Sequence, residues 1–182
     1  MVTRRIRVNR SWKEVKRELS KLPGIISGRL PDPDGLRRFF FAVIARVLFQ
    51  KIHKAFDTKS KGGTDELGNS WRSLKRSTEK RRSAKGIVAK YPLSAKLYIL
   101  RMSDSIYNSL APGNIAGHDY RPSKDQLYEL TSAGLRIGTE VEHAKYVNKK
   151  RPLWPKKMKP WIAVAVREAT NQTIARMAEL LT

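Results

Sequence analysis

The sequence predicts an α+β fold, in which a long amphipathic helix and a C-terminal helix pack on a small antiparallel β-sheet. Three observations carry this reading. Leu36, Phe40, Val43, Ile44, Val47, Leu48, Ile52 and Phe56 recur at helical spacing. Leu135, Ile137, Thr139 and Val141 alternate along one strand face, just after a second strand-like run at 126–132. A final stretch, 160–182, returns to helical spacing. Helices, then a hairpin, then a helix give segregated layers rather than a wound parallel sheet.

Each element has its own signal. Residues 1–30 read as a basic N-terminal arm followed by a short helix. Ser11 and Glu14 form a capping-box pattern, Trp12, Val15, Leu19 and Leu22 supply one face, and Pro23-Gly24 stops the helix. Residues 31–182 read as a single α+β domain. Its long helix is expected over 34–57, with Asp34 as N-cap and Phe39, Phe41 and Phe49 widening the apolar stripe. The stretch 58–71 is a polar loop with turns at Asp65 and Gly68. Residues 97–110 form a short helical or extended piece, and 111–125 a loop. In the 126–132 strand, Leu127, Glu129 and Thr131 face one way, and Tyr128 and Leu130 the other. "EHAKYVN" is too short to place by period. Prolines 152, 155 and 160 interrupt the chain before the last helix, whose apolar face holds Trp161, Val164, Ala165, Ile174, Met177, Ala178 and Leu181.

The charge is extreme. In 182 residues, 38 Lys and Arg stand against 16 Asp and Glu, for a net +22. A surplus of this size points to a polyanion or to acidic protein surfaces. The absence of cysteine excludes disulfides, thiolate catalysis and cysteine zinc sites. The longest apolar run, "FFFAVIA" at 39–45, is far short of the ~18 residues a spanning helix needs. The basic start is followed by no signal-peptide apolar region, so a soluble chain that is not exported by a signal sequence is expected.

Enzyme signatures are lacking. There is no H-E-x-x-H, P-loop, dinucleotide-binding glycine pattern or nucleophile elbow. His143, beside Glu140 and Glu142, is the candidate base or metal ligand. It needs an orienting partner and further ligands, and His53 and His118 lie in unrelated contexts. No catalytic residue, metal or cofactor is therefore expected. A metal-dependent hydrolase built on His143 and its glutamates is the weakest of three readings.

The densest basic stretch follows Trp71. Arg72, Lys75, Arg76, Lys80, Arg81, Arg82, Lys85 and Lys90 oppose only Glu79. These cations either contact phosphates without reading sequence or form a solvated face. The excess is too large for balanced pairing, which favours a functional surface. Trp71, Trp154 and Trp161 border loops or helix starts and are candidate anchors, of the core or of an interface.

Taken in order, Asp65, Gly68, Trp71, Leu74 and Thr78, then Leu100, Ser109 and Leu110, then Gly138, Thr139, Ala144 and Tyr146, and last Arg151, Pro152 and Trp154 form a series of short motifs. This series resembles the virion-morphogenesis family of tailed bacteriophages, whose members are called tail-completion or tail-terminator proteins. The likeness covers roughly 36–182, and the order and spacing of the motifs carry it. In this chain the histidine of the turn precedes the tyrosine. The resemblance implies a homo-oligomeric ring, usually of six subunits, that caps the tail tube in the virion neck and docks on the head connector, without catalysis. Assembly would take place in the host cytoplasm. Partners would be other copies of the chain, tail tube or sheath proteins, and connector proteins, with no membrane. Trp71, Leu74, Tyr146, Pro152, Trp154 and Trp161 would be structural or interface anchors, and His143 a hydrogen-bonding residue of its turn. Arg72, Lys75, Arg76, Lys80, Arg81 and Arg82 would face passing DNA or acidic partners. The alternative is a non-specific nucleic-acid-binding protein acting through 72–90.

Overall fold

The apolar run at 39–45 becomes the centre of the molecule. The computed structural model describes residues 1–6, 9–21, 32–72, 105–131, 134–155 and 157–181. In chain order these form β1 (Val2–Ile6), α1 (Asn9–Leu19), α2 (Pro33–Ser60), α3 (Ser105–Ser109), β2 (Asn114–Ala116), β3 (Asp119–Arg121), β4 (Gln126–Thr131), β5 (Gly134–Thr139), α4 (Ala144–Lys150) and α5 (Lys159–Leu181). The architecture is α+β, as the periodicities predict. No helix among the described residues is long and apolar enough to cross a membrane.

Helix α2 has 28 residues and is about 42 Å long. Phe40 through Ala45 have no exposed surface at all. A helix apolar around its whole girth must be enclosed rather than laid on a surface. It packs mainly against α5 and the β2–β3 hairpin, and more lightly against β4, β5 and α3. The N-cap is Asp32, not Asp34. Its carboxylate accepts a bond from Gly35 N at 2.9 Å, and its backbone takes the left-handed region at φ 41°. Pro33 then fits the first helical position, where no donor is needed. Asp34 falls in the first turn, where a negative charge meets the helix dipole favourably.

Strand β5 is the middle of a three-stranded antiparallel sheet, order β1-β5-β4. Leu135, Ile137 and Thr139 are wholly buried, as their alternation predicts, and Val141 beyond the strand is 9% exposed. Gln126 pairs with Thr139 and Thr131 with Gly134, and residues 132–133 between the two strands lie outside the described residues.

The other edge corrects the sequence reading. Residues 2–6 are not a free basic arm but strand β1, running from Val2 opposite Thr139 to Ile6 opposite Leu135. Val2 and Ile6 are buried. Thr3, Arg4 and Arg5 between them hide the strand signal. Gly138 makes this pairing possible, because a Cβ there would collide with the carbonyl oxygen of Val2 and lie 2.9 Å from Thr3 Cα. Gly138→Ala is expected to detach β1. Hydrogen exchange should then accelerate at the β1 amides while the β4–β5 amides keep their protection. Equal protection of both ladders would contradict this account.

Further boundaries move for local reasons. Helix α1 begins at Asn9, so Ser11 lies inside it rather than at its cap, while Trp12, Val15 and Leu19 are buried as expected. The 111–125 loop contains the β2–β3 hairpin, whose three-residue strands are too short to show a period. "EHAKYVN" is largely helical, since α4 occupies Ala144–Lys150. In α5 the buried row is Trp161, Ala165, Ala169, Thr173 and Met177, a strict four-residue spacing. Val164 and Ile174, assigned inward above, are rotated off that row and are 37% and 38% exposed. Leu22, Leu74, Thr78 and Leu100 lie outside the described residues, as do Lys75, Arg76, Lys80, Arg81, Arg82, Lys85 and Lys90.

Candidate functional site: a buried lysine–aspartate knot

The end of α2 carries an unexpected residue. Lys59 follows Ile52 and Phe56 on the apolar rows of the helix, and its side chain is only 2% exposed. It faces Asp65, whose side chain is fully buried, with Nζ 3.5 Å from Oδ2. Two burials of this kind require partners, because an isolated buried charge is very costly.

Asp65 has them in its own turn. Its Oδ1 accepts bonds from Leu67 N and Asn69 N, both at 2.9 Å, and from Asn69 Nδ2 at 3.1 Å. Its carbonyl accepts from Gly68 N at 3.0 Å, and its own N–H donates to Asn69 O at 2.9 Å. Gly68 takes φ +78°, which glycine adopts without strain. Burial pushes the Asp65 carboxyl upward, but the bonds from Asn69 and Leu67, with Lys59 nearby, outweigh it and hold the group below its ordinary value. For Lys59 burial wins, and its ammonium is held below the usual lysine range despite Asp65.

The knot reaches across the chain. Trp71 Nε1 donates to Pro152 O at 3.1 Å, and Lys59 Nζ lies 3.5 Å from the same oxygen. The ammonium also sits 4.9 Å from the Trp71 ring centroid, within cation–π range. Trp71 meets Phe56 edge-on at 4.8 Å, and Trp154 contacts Phe49 at 6.5 Å. Arg151 Nη2 donates to Arg72 O at 3.2 Å, tying the two loops together outside the knot. Asn148 Oδ1 accepts from Leu153 N at 2.9 Å and fixes the chain between α4 and Trp154.

Asp65, Gly68 and Trp71 thus come together with Arg151, Pro152 and Trp154. A second cluster collects Ser109, Leu110, Gly138, Thr139 and Ala144. Ser109 Oγ and Thr139 Oγ1 are 2.7 Å apart, Val141 N donates to Thr139 Oγ1, and Leu110 and Ala144 are wholly buried. Trp161 is 2% exposed at the start of α5. Tyr146 does not anchor the core. It is 61% exposed, with Lys145 Nζ 4.9 Å from its ring centroid. Arg72 is exposed.

His143 sits at the N-cap position of α4 without a side-chain capping bond. Its Nε2 lies 3.5 Å from Ser105 Oγ, and no ion pair joins it to Glu140 or Glu142 among the described residues. His53 packs on Tyr107 at 4.0 Å, and His118 lies 3.6 Å from Asp32. Among the described residues, no three His, Asp or Glu side chains gather where a metal ion would be held.

Several residues of these networks escaped the sequence reading, among them Asn69, Asn148 and Tyr120, and above all Lys59 and Gln126. Lys59 could have been found as a lysine on the apolar rows of α2, six residues before an aspartate turn. Gln126 opens β4 and carried no signal of its own. Its Oε1 accepts from Tyr120 OH at 2.8 Å, and its Nε2 donates to Ala111 O at 2.6 Å. Tyr120 OH in turn accepts from Gly113 N at 2.7 Å.

Compared with protein-family models, with curated proteins and with solved structures, the chain matches none.

Proposed function

We propose that the chain is a structural protein of a tailed-phage neck, a tail-completion or terminator factor. Six copies form a ring that caps the tail tube and joins it to the head connector. One observation carries the proposal. The motif around Asp65, Gly68 and Trp71 and the motif around Arg151, Pro152 and Trp154 lie some eighty residues apart, yet they interlock through Pro152 O. Two of the motifs that carry the resemblance thus share one buried contact. Their role is to hold a framework, which suits an assembly protein. Tyr146, Val164, Ile174 and Leu180 leave apolar surface on α4 and α5 for subunit contacts, and the net +22 suits acidic neighbours or DNA.

The test is deletion of the gene from its phage, with the lysate imaged by negative-stain electron microscopy. Full heads separated from tails are the expected result. Overlong tails would specify the terminator role, and normal tails with leaking heads the connector role. Intact virions would overturn the proposal.

The charge also favours a second reading, non-specific nucleic-acid binding through 72–90. It predicts DNA binding by the isolated monomer that falls steeply as salt rises. Combined alanine replacement of Arg76, Lys80, Arg81 and Arg82 should abolish that binding; unchanged affinity would exclude it.

A further inference from the structure

The knot has donors to spare. Lys59 offers three N–H donors, yet its two oxygen contacts, Asp65 Oδ2 and Pro152 O, both stand at 3.5 Å. Charge-assisted bonds of this type run nearer ~2.7–2.9 Å. Asp65, by contrast, is well supplied by its own turn. The shortage therefore lies on the lysine. Trp154 adds a second case. It is 2% exposed, and its indole N–H has no hydrogen-bond partner among the described residues. Buried donors in native proteins are nearly always satisfied.

Both residues line one cavity of about 180 Å³. Its lining runs from exposed Ser70 and Pro152 to buried Lys59, Trp71, Trp154 and Pro155. The site is thus reachable from solvent and donor-rich at its base. Its remaining walls are the Trp71 ring and the two prolines on one side and polar Asn69 and Ser70 on the other.

We propose that this cavity receives a glutamate side chain from an acidic segment of a partner protein. The carboxylate would take one donor on each oxygen, from Lys59 Nζ and Trp154 Nε1. Its methylene stem would lie against Trp71 and the prolines. A monoanion fits better than a phosphate, because the Lys59–Asp65 pair is already neutral and a dianion would place twice the excess negative charge beside it. The net +22 of the chain draws acidic partners toward it. The inference is independent of the ring assignment and holds for any acidic partner.

The test is a titration of the full chain with acetyl-Gly-Glu-Gly-amide and with its glutamine counterpart. It is followed through the Trp154 indole N–H resonance, identified by its loss in Trp154→Phe. A saturable shift is expected with the glutamate peptide, at least about fivefold tighter than with glutamine. Lys59→Met should weaken binding by about tenfold. Should that variant fail to fold, Trp154→Phe decides. With the Trp71 indole N–H as reporter, it should bind about threefold or more weakly. Equal binding of the two peptides, no saturable shift with either, or undiminished affinity in Trp154→Phe would overturn the proposal and leave water as the occupant.

Discussion

Asp65→Ala is expected to lower the unfolding free energy by about 3–5 kcal/mol, the usual cost of removing one partner from a buried ion pair. The substitution strips Lys59 of its only carboxylate among the described residues and dissolves the turn that Oδ1 organises. Lys59→Met should cost less, because Asp65 keeps its bonds from Leu67 and Asn69 and the methionine fills the same space. Urea unfolding of the two variants checks the order, and a larger loss in Lys59→Met would contradict the account. The pH dependence has a definite sign. Asp65 titrates below its ordinary value of 3.8 in the fold, so the unfolded chain binds its proton more readily. Its stabilisation is complete above that value and is lost as pH falls through the folded one. Lys59 is also held low, against an ordinary 10.5. The stability it withholds at neutral pH returns as pH rises from its depressed value toward 10.5. The acid limb of the stability curve should therefore flatten in Asp65→Ala.

Trp71→Ala should be comparably severe, about 3–5 kcal/mol. It opens a large cavity beside Phe56, removes the donor to Pro152 O and uncovers one face of the Lys59 ammonium. Trp154→Ala belongs to the same class, because the residue is 2% exposed and packs on Phe49. Tyr146→Ala is the internal contrast. At 61% exposure its loss should change stability by no more than about 0.5 kcal/mol. Thermal unfolding separates the two classes. If Tyr146→Ala nevertheless blocked oligomer formation by the folded chain, the tyrosine would be an interface anchor. Stability losses of similar size in Trp71→Ala and Tyr146→Ala would contradict the burial pattern.

The long-range frame was legible where a period persists. Helix α2 shows through eight apolar positions, and β5 through three alternating ones with Val141 just beyond it. What stayed hidden was short, mixed or nonlocal. Strand β1 has two arginines among five residues, and its two apolar anchors gain meaning only opposite β5. The β2–β3 strands are three residues each. In α5, a period-based face placed Val164 and Ile174 inward, whereas the buried row runs four apart through Trp161, three small residues and Met177. The knot was half legible. Its tryptophans and its aspartate turn could be singled out, but nothing local shows that Lys59 faces Asp65 or that Pro152 supplies the oxygen between them. Tyr146 misled for a related reason, because an aromatic near a turn does not reveal which side of the chain it faces.

The pairing of β1 with β5 sets a schedule for synthesis. At about 5–20 residues per second, the first strand leaves the ribosome on the order of ten seconds before its partner exists. During that interval the enclosed helix α2 has neither α5 nor the hairpins to cover it. Its seven-residue apolar run is then a target for holding chaperones. Because α5 follows α2 in the chain and packs on it, truncations that remove α5 should leave the early half of the chain prone to aggregate rather than to fold.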